Sequence, residues 1–253
     1  MDEELGSQLK YLRLPGLIEG WHSYVEHAKN EGYSNERFLR YVIDNIFRNR
    51  QERGRLYRIT CAKIPEKWVV ETYPFAQQPK LRKEKVLAVY DSLKYMTDKQ
   101  NILWVGPPGA GKTGLATSFL MQALERGYSG RFVVFIDLIE ELHKSVADNT
   151  SQKVLKTYAS YDCLQIDELG YVEADVHQVG LFFRLMQARS KRKTTLITTN
   201  LGFSDWVQFL KNEQLTSALI DRFTENCHIF NMKGCKSLRT NRSVEPTTED
   251  QHD

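Results

Sequence analysis

Apolar residues recur at helical spacing through the first sixty positions: Leu5, Leu9 and Leu12, then Ile18, Trp21 and Val25. A stronger run follows Ser34. There Phe38, Leu39, Val42, Ile43, Ile46 and Phe47 read as one apolar stripe on a helix that Ser34 caps. Pro65, Pro74 and Pro79 then mark an irregular connector. From about residue 81 the pattern changes. Helical stretches over 81–96 and 111–126 alternate with short apolar strands at 102–105, 132–136, 163–166, 195–198 and 228–231. Strands separated by helices imply parallel crossover units. The expected fold is therefore α/β, a parallel five-stranded sheet flanked by helices and preceded by a small all-helical N-terminal domain. The domains expected are 1–65, helical; 66–242, the α/β body; and 243–253, a flexible acidic tail.

Composition narrows the classes. Twelve Phe, twelve Tyr and four Trp supply a core, which excludes a disordered chain. No run of about 18 apolar residues occurs, so no membrane partner is expected. The four cysteines have neither C-x-x-C nor zinc-finger spacing, and the start is acidic and polar. Reduced thiols and a cytoplasmic setting follow as expectations.

The turn after the strand at 102–105 carries the chemistry. Gly106-Pro107-Pro108-Gly109-Ala110-Gly111-Lys112-Thr113 fits G-x-x-x-x-G-K-[ST], with a strand before it and a helix after it. Glycines let backbone N–H groups curl around phosphate oxygens, and the helix aims its positive end at them. Lys112 is placed to reach the β- and γ-phosphates of ATP, and the Thr113 hydroxyl to ligate Mg²⁺. Gly114, next in the chain, joins the expected nucleotide-binding set. About 55 residues later the strand Cys163-Leu164-Gln165-Ile166 ends in Asp167-Glu168. Asp167 suits a second, direct or water-mediated hold on Mg²⁺, and Glu168 suits a general base. Gln165 inside a buried strand calls for a polar neighbour.

Thr194–Thr199 ends in Asn200, either a turn former or a group that orients the lytic water. Asp221-Arg222 on an amphipathic helix reads either as a local ion pair or as an arginine finger supplied in trans.

The net charge of +3 is uninformative as a total, but its distribution is uneven. Seven arginines lie at 37, 40, 48, 50, 53, 55 and 58. A second basic cluster is Arg184, Arg189, Lys191, Arg192 and Lys193, and a third is Lys80, Arg82, Lys83 and Lys85. Arginine suits phosphate contact, so Arg48, Arg50, Arg53, Arg55 and Arg58 are the candidate DNA-binding residues. Tyr41 and Tyr57 offer rings for base stacking or for packing inside the helical domain.

The ordered set GPPGAGKT, LQIDELGY, LITTNLGFSDW and ALIDRF resembles the AAA+ ATPases of the DnaC/IstB type, above all IstB-type ATP-binding helpers of insertion-sequence transposition. The opening Leu9-Lys10-Tyr11-Leu12-Arg13-Leu14-Pro15-Gly16-Leu17 also looks like that family's N-terminal stretch. The resemblance implies an AAA+ P-loop NTPase that hydrolyses ATP with Mg²⁺. It implies Walker A roles for Lys112 and Thr113, Walker B roles for Asp167 and Glu168, and a sensor 1 role for Asn200. It further implies an arginine-finger role for Arg222 and a sensor 2 role for Arg239. Such helpers bind duplex DNA as an ATP-dependent homo-oligomer and recruit or stimulate a partner transposase. The helicase-loader cousins instead bind single-stranded DNA and deliver a replicative helicase. The family's helical lid is expected to be reduced or absent, since only about twenty residues follow Asn231.

Overall fold

The computed structural model describes residues 1–171 and 176–239. The expected tail at 243–253 lies outside them. Two compact units divide the chain, Met1–Arg58 and a second from Ile59 onward. The prolines suggested 65/66 instead. The division falls earlier because Ile59 and Ala62 are already buried in the core of the second unit.

The helical pattern of the first sixty positions forms α1 (Glu3–Tyr11), α2 (Pro15–Asn30) and α3 (Asn35–Cys61). Asp2 accepts the Leu5 N–H at 2.8 Å and caps α1. Pro15 opens α2, where its missing N–H costs nothing. Ser34 Oγ accepts the Arg37 N–H at 3.3 Å and caps α3 as expected. Tyr41 is a packing residue: its ring stacks on His27 at 4.8 Å, and Tyr24 and Tyr33 meet it edge-on. The stripe on α3 does not bury as one. Val42 is buried, whereas Leu39, Ile43 and Phe47 are 58–62% exposed. Six apolar positions span more of the helix surface than one neighbouring helix covers, so the i, i+4 row at 39, 43 and 47 stays out.

In the second unit α4 (Lys83–Ser92) and α5 (Lys94–Thr97) replace the single helix expected at 81–96. They break at Leu93, whose φ of +53° is left-handed. The α/β body follows: β1 (Asn101–Val105), α6 (Lys112–Glu125), β2 (Gly130–Val134), α7 (Phe135–Ala147), α8 (Ser151–Ser160), β3 (Cys163–Leu169), α9 (Val176–Arg189), β4 (Thr194–Thr199), α10 (Phe203–Leu210), α11 (Glu213–Thr224) and β5 (Cys227–Asn231). The second strand was expected to continue to Ile136. Phe135 and Ile136 belong to α7 instead, because no glycine or proline separates strand from helix and one apolar run serves both.

All strand pairs are parallel, in the order β2-β3-β4-β1-β5. Side chains alternate across the sheet. Ile102 and Trp104 join the layer under α6, where Leu115, Phe119 and Leu120 pack. Leu103 and Val105 face the opposite layer, with Leu138 of α7, Phe182 of α9 and Trp206 of α10. Strand β1 lies between the central strand β4 and the edge strand β5, neither of which is its neighbour in sequence. The carboxyl ends of the strands therefore open a crevice beside β1.

Three members of the second basic cluster are engaged within the fold, while Arg184 and Arg192 are exposed. Arg189 is buried. It donates to the carbonyls of Tyr158 and Tyr161 at 2.8 Å, to that of Thr194, and to Thr195 Oγ1 at 3.0 Å. Burial pulls its pKa down to about 10. Lys191 pairs with Glu225 and Lys193 with Asp162. Arg189→Met is expected to destabilise the second unit by about 3 kcal/mol, because several buried carbonyls lose their donor at once. Equilibrium denaturant unfolding measures this; an unchanged midpoint would contradict it. Among the described residues, no helix is long and apolar enough to cross a membrane.

Candidate functional site

The P-loop links the carboxyl end of β1 to α6. Gly109 and Gly111 have φ of +79° and +86°, the left-handed region that only glycine enters without strain. A Cβ on Gly111 would also come within 2.6 Å of the Tyr73 ring. Lys112 is nearly buried at the first turn of α6, and its Nζ donates to the carbonyls of Gly106 at 2.8 Å and Pro107 at 2.9 Å. Burial lowers its pKa, and nearby Asp167 opposes that shift.

A cleft of about 580 Å³ opens over the loop, a size suited to a nucleotide. Pro108, Gly109, Gly111, Lys112, Thr113 and Gly114 line it, as do Asp167 and Glu168. Gly106, Pro107 and Ala110 act from behind through their carbonyls, the first two on Lys112 and Ala110 as acceptor of the Tyr73 hydroxyl at 2.8 Å.

The proline-marked connector supplies a wall of this cleft. Glu66, Trp68, Thr72 and Pro74 line it. The segment after β5 supplies another side. Leu238 N–H donates to Gly109 O at 2.8 Å, and Arg239 faces the cleft. Gln78 ties the two segments together, donating to Lys236 O at 2.7 Å and accepting from Lys236 N at 2.9 Å. Of these only Arg239 is expected from sequence as a site residue; Pro74 is read there only as part of an irregular connector. The connector has no periodicity, and its role depends on where the chain folds back.

Opposite the P-loop, Asp167 ends the regular part of β3. One carboxylate oxygen accepts from Thr113 Oγ1 at 3.0 Å and the other from Thr198 Oγ1 at 2.5 Å. Burial raises the Asp167 pKa, and the two hydroxyl donors work against it. Thr113 and Asp167 present adjoining hard oxygens, the donor type that Mg²⁺ takes. Gln165, deeper in β3, donates to Thr117 Oγ1 at 3.1 Å, the polar neighbour its position called for. A bulge lies between Ile166 and Leu169, and Glu168 sits in it with φ of +58°. Successive residues of a regular strand face opposite sides, yet Asp167 and Glu168 line the same cleft.

Asn200 follows β4 and is exposed. Among the residues of that strand, Thr198 is the one that reaches the cleft. Arg222 lies elsewhere, near the amino end of the sheet, lining a pocket with Asn101, the first residue of β1, and Thr195, the second of β4. It is exposed, and among the described residues it forms no ion pair. The local pairing with Asp221 is therefore absent. The five strand residues of β1 separate it from the P-loop by about 16 Å, at roughly 3.3 Å per residue.

The candidate DNA-binding arginines differ among themselves. Arg48 and Arg50 are exposed on α3. Arg53 pairs with Glu19, and Arg55 with Glu52 at 2.8 Å.

A P-loop at the crevice of a parallel 2-3-4-1-5 sheet, faced by an Asp-Glu strand end, defines an AAA+ ATPase. The family model described as IstB-like ATP binding protein matches residues 7–245, and the chain belongs to that family. It is 30% identical over 252 residues to a protein of insertion sequence IS5376 in Geobacillus stearothermophilus named for ATP binding, covering 99% of this chain and 100% of that one. The corresponding protein of IS21 in Pseudomonas aeruginosa is 29% identical, with 91% of this chain and 87% of that one covered. Among solved structures, AMPPCP-bound DnaA from Aquifex aeolicus matches with TM-score 0.56 at 18% identity, over 71% of this chain and 54% of that one. The DnaC helicase loader matches with TM-score 0.51 at 24% identity, over 64% and 98%. These likenesses show the fold.

Proposed function

We propose that this ATPase assembles with copies of itself on duplex DNA, and that its nucleotide state governs recruitment or stimulation of a partner transposase. The observation that carries the reading is the separation of Arg222 from its own P-loop. The cleft holds a cation, hydroxyl and carboxylate set for ATP but lacks a free arginine from the amino end of the sheet. A second copy supplies one. Assembly and hydrolysis are then the same event seen from two sides.

In the cleft the P-loop amides and Lys112 hold the phosphates. Thr113 and Asp167 hold Mg²⁺, which when bound neutralises charge on the β- and γ-phosphates. Glu168 accepts a proton from the attacking water, whose oxygen bonds to the γ-phosphorus as the bond to the bridging oxygen of ADP breaks. Asn200, at the carboxyl end of β4, orients that water. Arg239 steadies the phosphates from its own chain, and the neighbour's Arg222 stabilises the charge that develops.

The exposed arginines of α3 support duplex binding, and relatives belonging to insertion sequences support the transposition context. The second reading, a helicase loader on single-stranded DNA, draws on the fold likeness to the DnaC loader. Binding to duplex and single-stranded DNA with and without an ATP analogue separates the two. Duplex preference that rises with nucleotide supports the first, and single-strand preference the second. Arg48→Ala with Arg50→Ala is expected to weaken duplex binding irrespective of sequence and to reduce the salt slope of log affinity by about 1.8, at roughly 0.9 per phosphate contact. Arg53→Ala and Arg55→Ala are expected to have smaller effects, because both side chains already hold carboxylates. A salt titration of all three variants checks this; an unchanged slope for the double variant would contradict it.

A further inference from the structure

The register of β3 against β4 contains one extra residue on β3. Ile166 faces Ile197 and Leu169 faces Thr199, so Asp167 and Glu168 together oppose Thr198 alone. A bulge of this kind leaves ladder groups unpaired and turns the backbone. Here β4 supplies the missing partners from side chains. Thr198 Oγ1 accepts the Glu168 N–H at 3.0 Å and donates to Asp167 Oδ1 at 2.5 Å. Thr199 Oγ1 donates to the Leu169 carbonyl at 2.7 Å and closes the far side. Both threonines are buried.

The bulge needs such a clasp. Glu168 is a non-glycine residue at φ +58°, a sparsely populated left-handed conformation that carries strain. Such a residue stays put only when its surroundings over-determine it. The strain has a consequence for the site: it brings Glu168 to the same cleft as Asp167 instead of to the opposite face of the sheet.

We infer that Thr198 is a positioning residue for hydrolysis, its single hydroxyl fixing the Asp167 carboxylate and the backbone of Glu168 at once. This rests on the reading of Glu168 as the general base. Thr198 itself transfers no proton to the substrate and acts through the two acids. Asp167 keeps the Thr113 hydroxyl when Thr198 is lost, so the metal and phosphate contacts should largely survive while the placement of Glu168 does not; turnover should fall with nucleotide binding largely spared. A misplacement of the order of 1 Å costs about 100-fold in rate.

The test compares Thr198→Val, which keeps the shape and removes the hydroxyl, with Thr198→Ser, which keeps the hydroxyl. Single-turnover ATP hydrolysis, affinity for a fluorescent ATP analogue and the thermal midpoint are measured for the full chain with duplex DNA. The expected result is a rate about 100-fold lower for Thr198→Val, an affinity within about threefold of wild type, and recovery to within about threefold in Thr198→Ser. In the Glu168→Gln background, Thr198→Val should add little further loss, since the group it positions no longer works. Thr198→Ala serves in its place if the valine variant does not fold. A rate like wild type, equal loss of rate and affinity, or fully additive loss with Glu168→Gln would each overturn the inference. Normal turnover by Glu168→Gln would instead remove the base reading beneath it. Full activity of Thr198→Val beside an inactive Glu168→Gln overturns the Thr198 role alone.

Discussion

Glu168→Gln is expected to cut ATP turnover by at least about 100-fold while leaving ATP affinity nearly unchanged, because a positioned general base contributes roughly 10²–10⁴ in rate. The amide keeps the size and the left-handed backbone of the native residue but cannot take a proton. The groups that hold the phosphates and the metal are elsewhere: the P-loop follows β1, Lys112 and Thr113 begin α6, and Asp167 is the other residue of the bulge, held by Thr113. Binding and chemistry therefore separate at this position. Phosphate release and equilibrium binding of a fluorescent ATP analogue, measured on the same preparation, check both halves. The variant should also persist in its ATP-bound assembly on duplex DNA. Turnover at the wild-type rate would contradict the assignment.

Arg222→Ala is expected to lose about 10³-fold in turnover and to keep nucleotide binding, the range attributed to an arginine finger. The argument is one of place. Arg222 stands with Asn101 and Thr195 at the amino end of a sheet whose carboxyl end carries the P-loop, and it is not among the residues lining the P-loop cleft. An exposed arginine without an ion partner among the described residues is poised for an external anion. Losing it should not disturb the core, since Leu219 and Phe223, on the buried side of the same helix, do the packing. Steady-state ATPase with saturating duplex DNA, together with a thermal midpoint, checks the variant. Substantial destabilisation, or unchanged hydrolysis, would contradict the finger role.

Some of this site was legible in the sequence because its physics is local. The P-loop needs left-handed glycines and a helix start in one short stretch, so eight consecutive residues carry the whole signal. Asp167 was legible as the acidic end of an apolar strand. The bulge that turns Glu168 was not, since the sequence shows only an apolar strand at 163–166 ending in two acids, and the cause lies on Thr198 and Thr199, thirty residues away. Trp68 and Tyr73 were hidden for the same reason: the connector has no period, and its place against the P-loop follows from the path of the chain. Charge counting misled at Arg189, because a list of basic residues cannot show that buried carbonyls surround one of them. The limit at Phe135 was different. A strand and a helix share one apolar run, and periodicity over four residues cannot divide it.

The central claim is that each ATP site is completed by a neighbouring copy. Mixing Glu168→Gln and Arg222→Ala proteins tests it most directly, because each lacks what the other holds. With duplex DNA and ATP, each alone should be nearly inactive. The equimolar mixture should recover up to about a quarter of wild-type turnover, as random head-to-tail pairing sets an intact Glu168 against an intact Arg222 at roughly one interface in four. A mixture no more active than the mean of its two components would contradict a shared site.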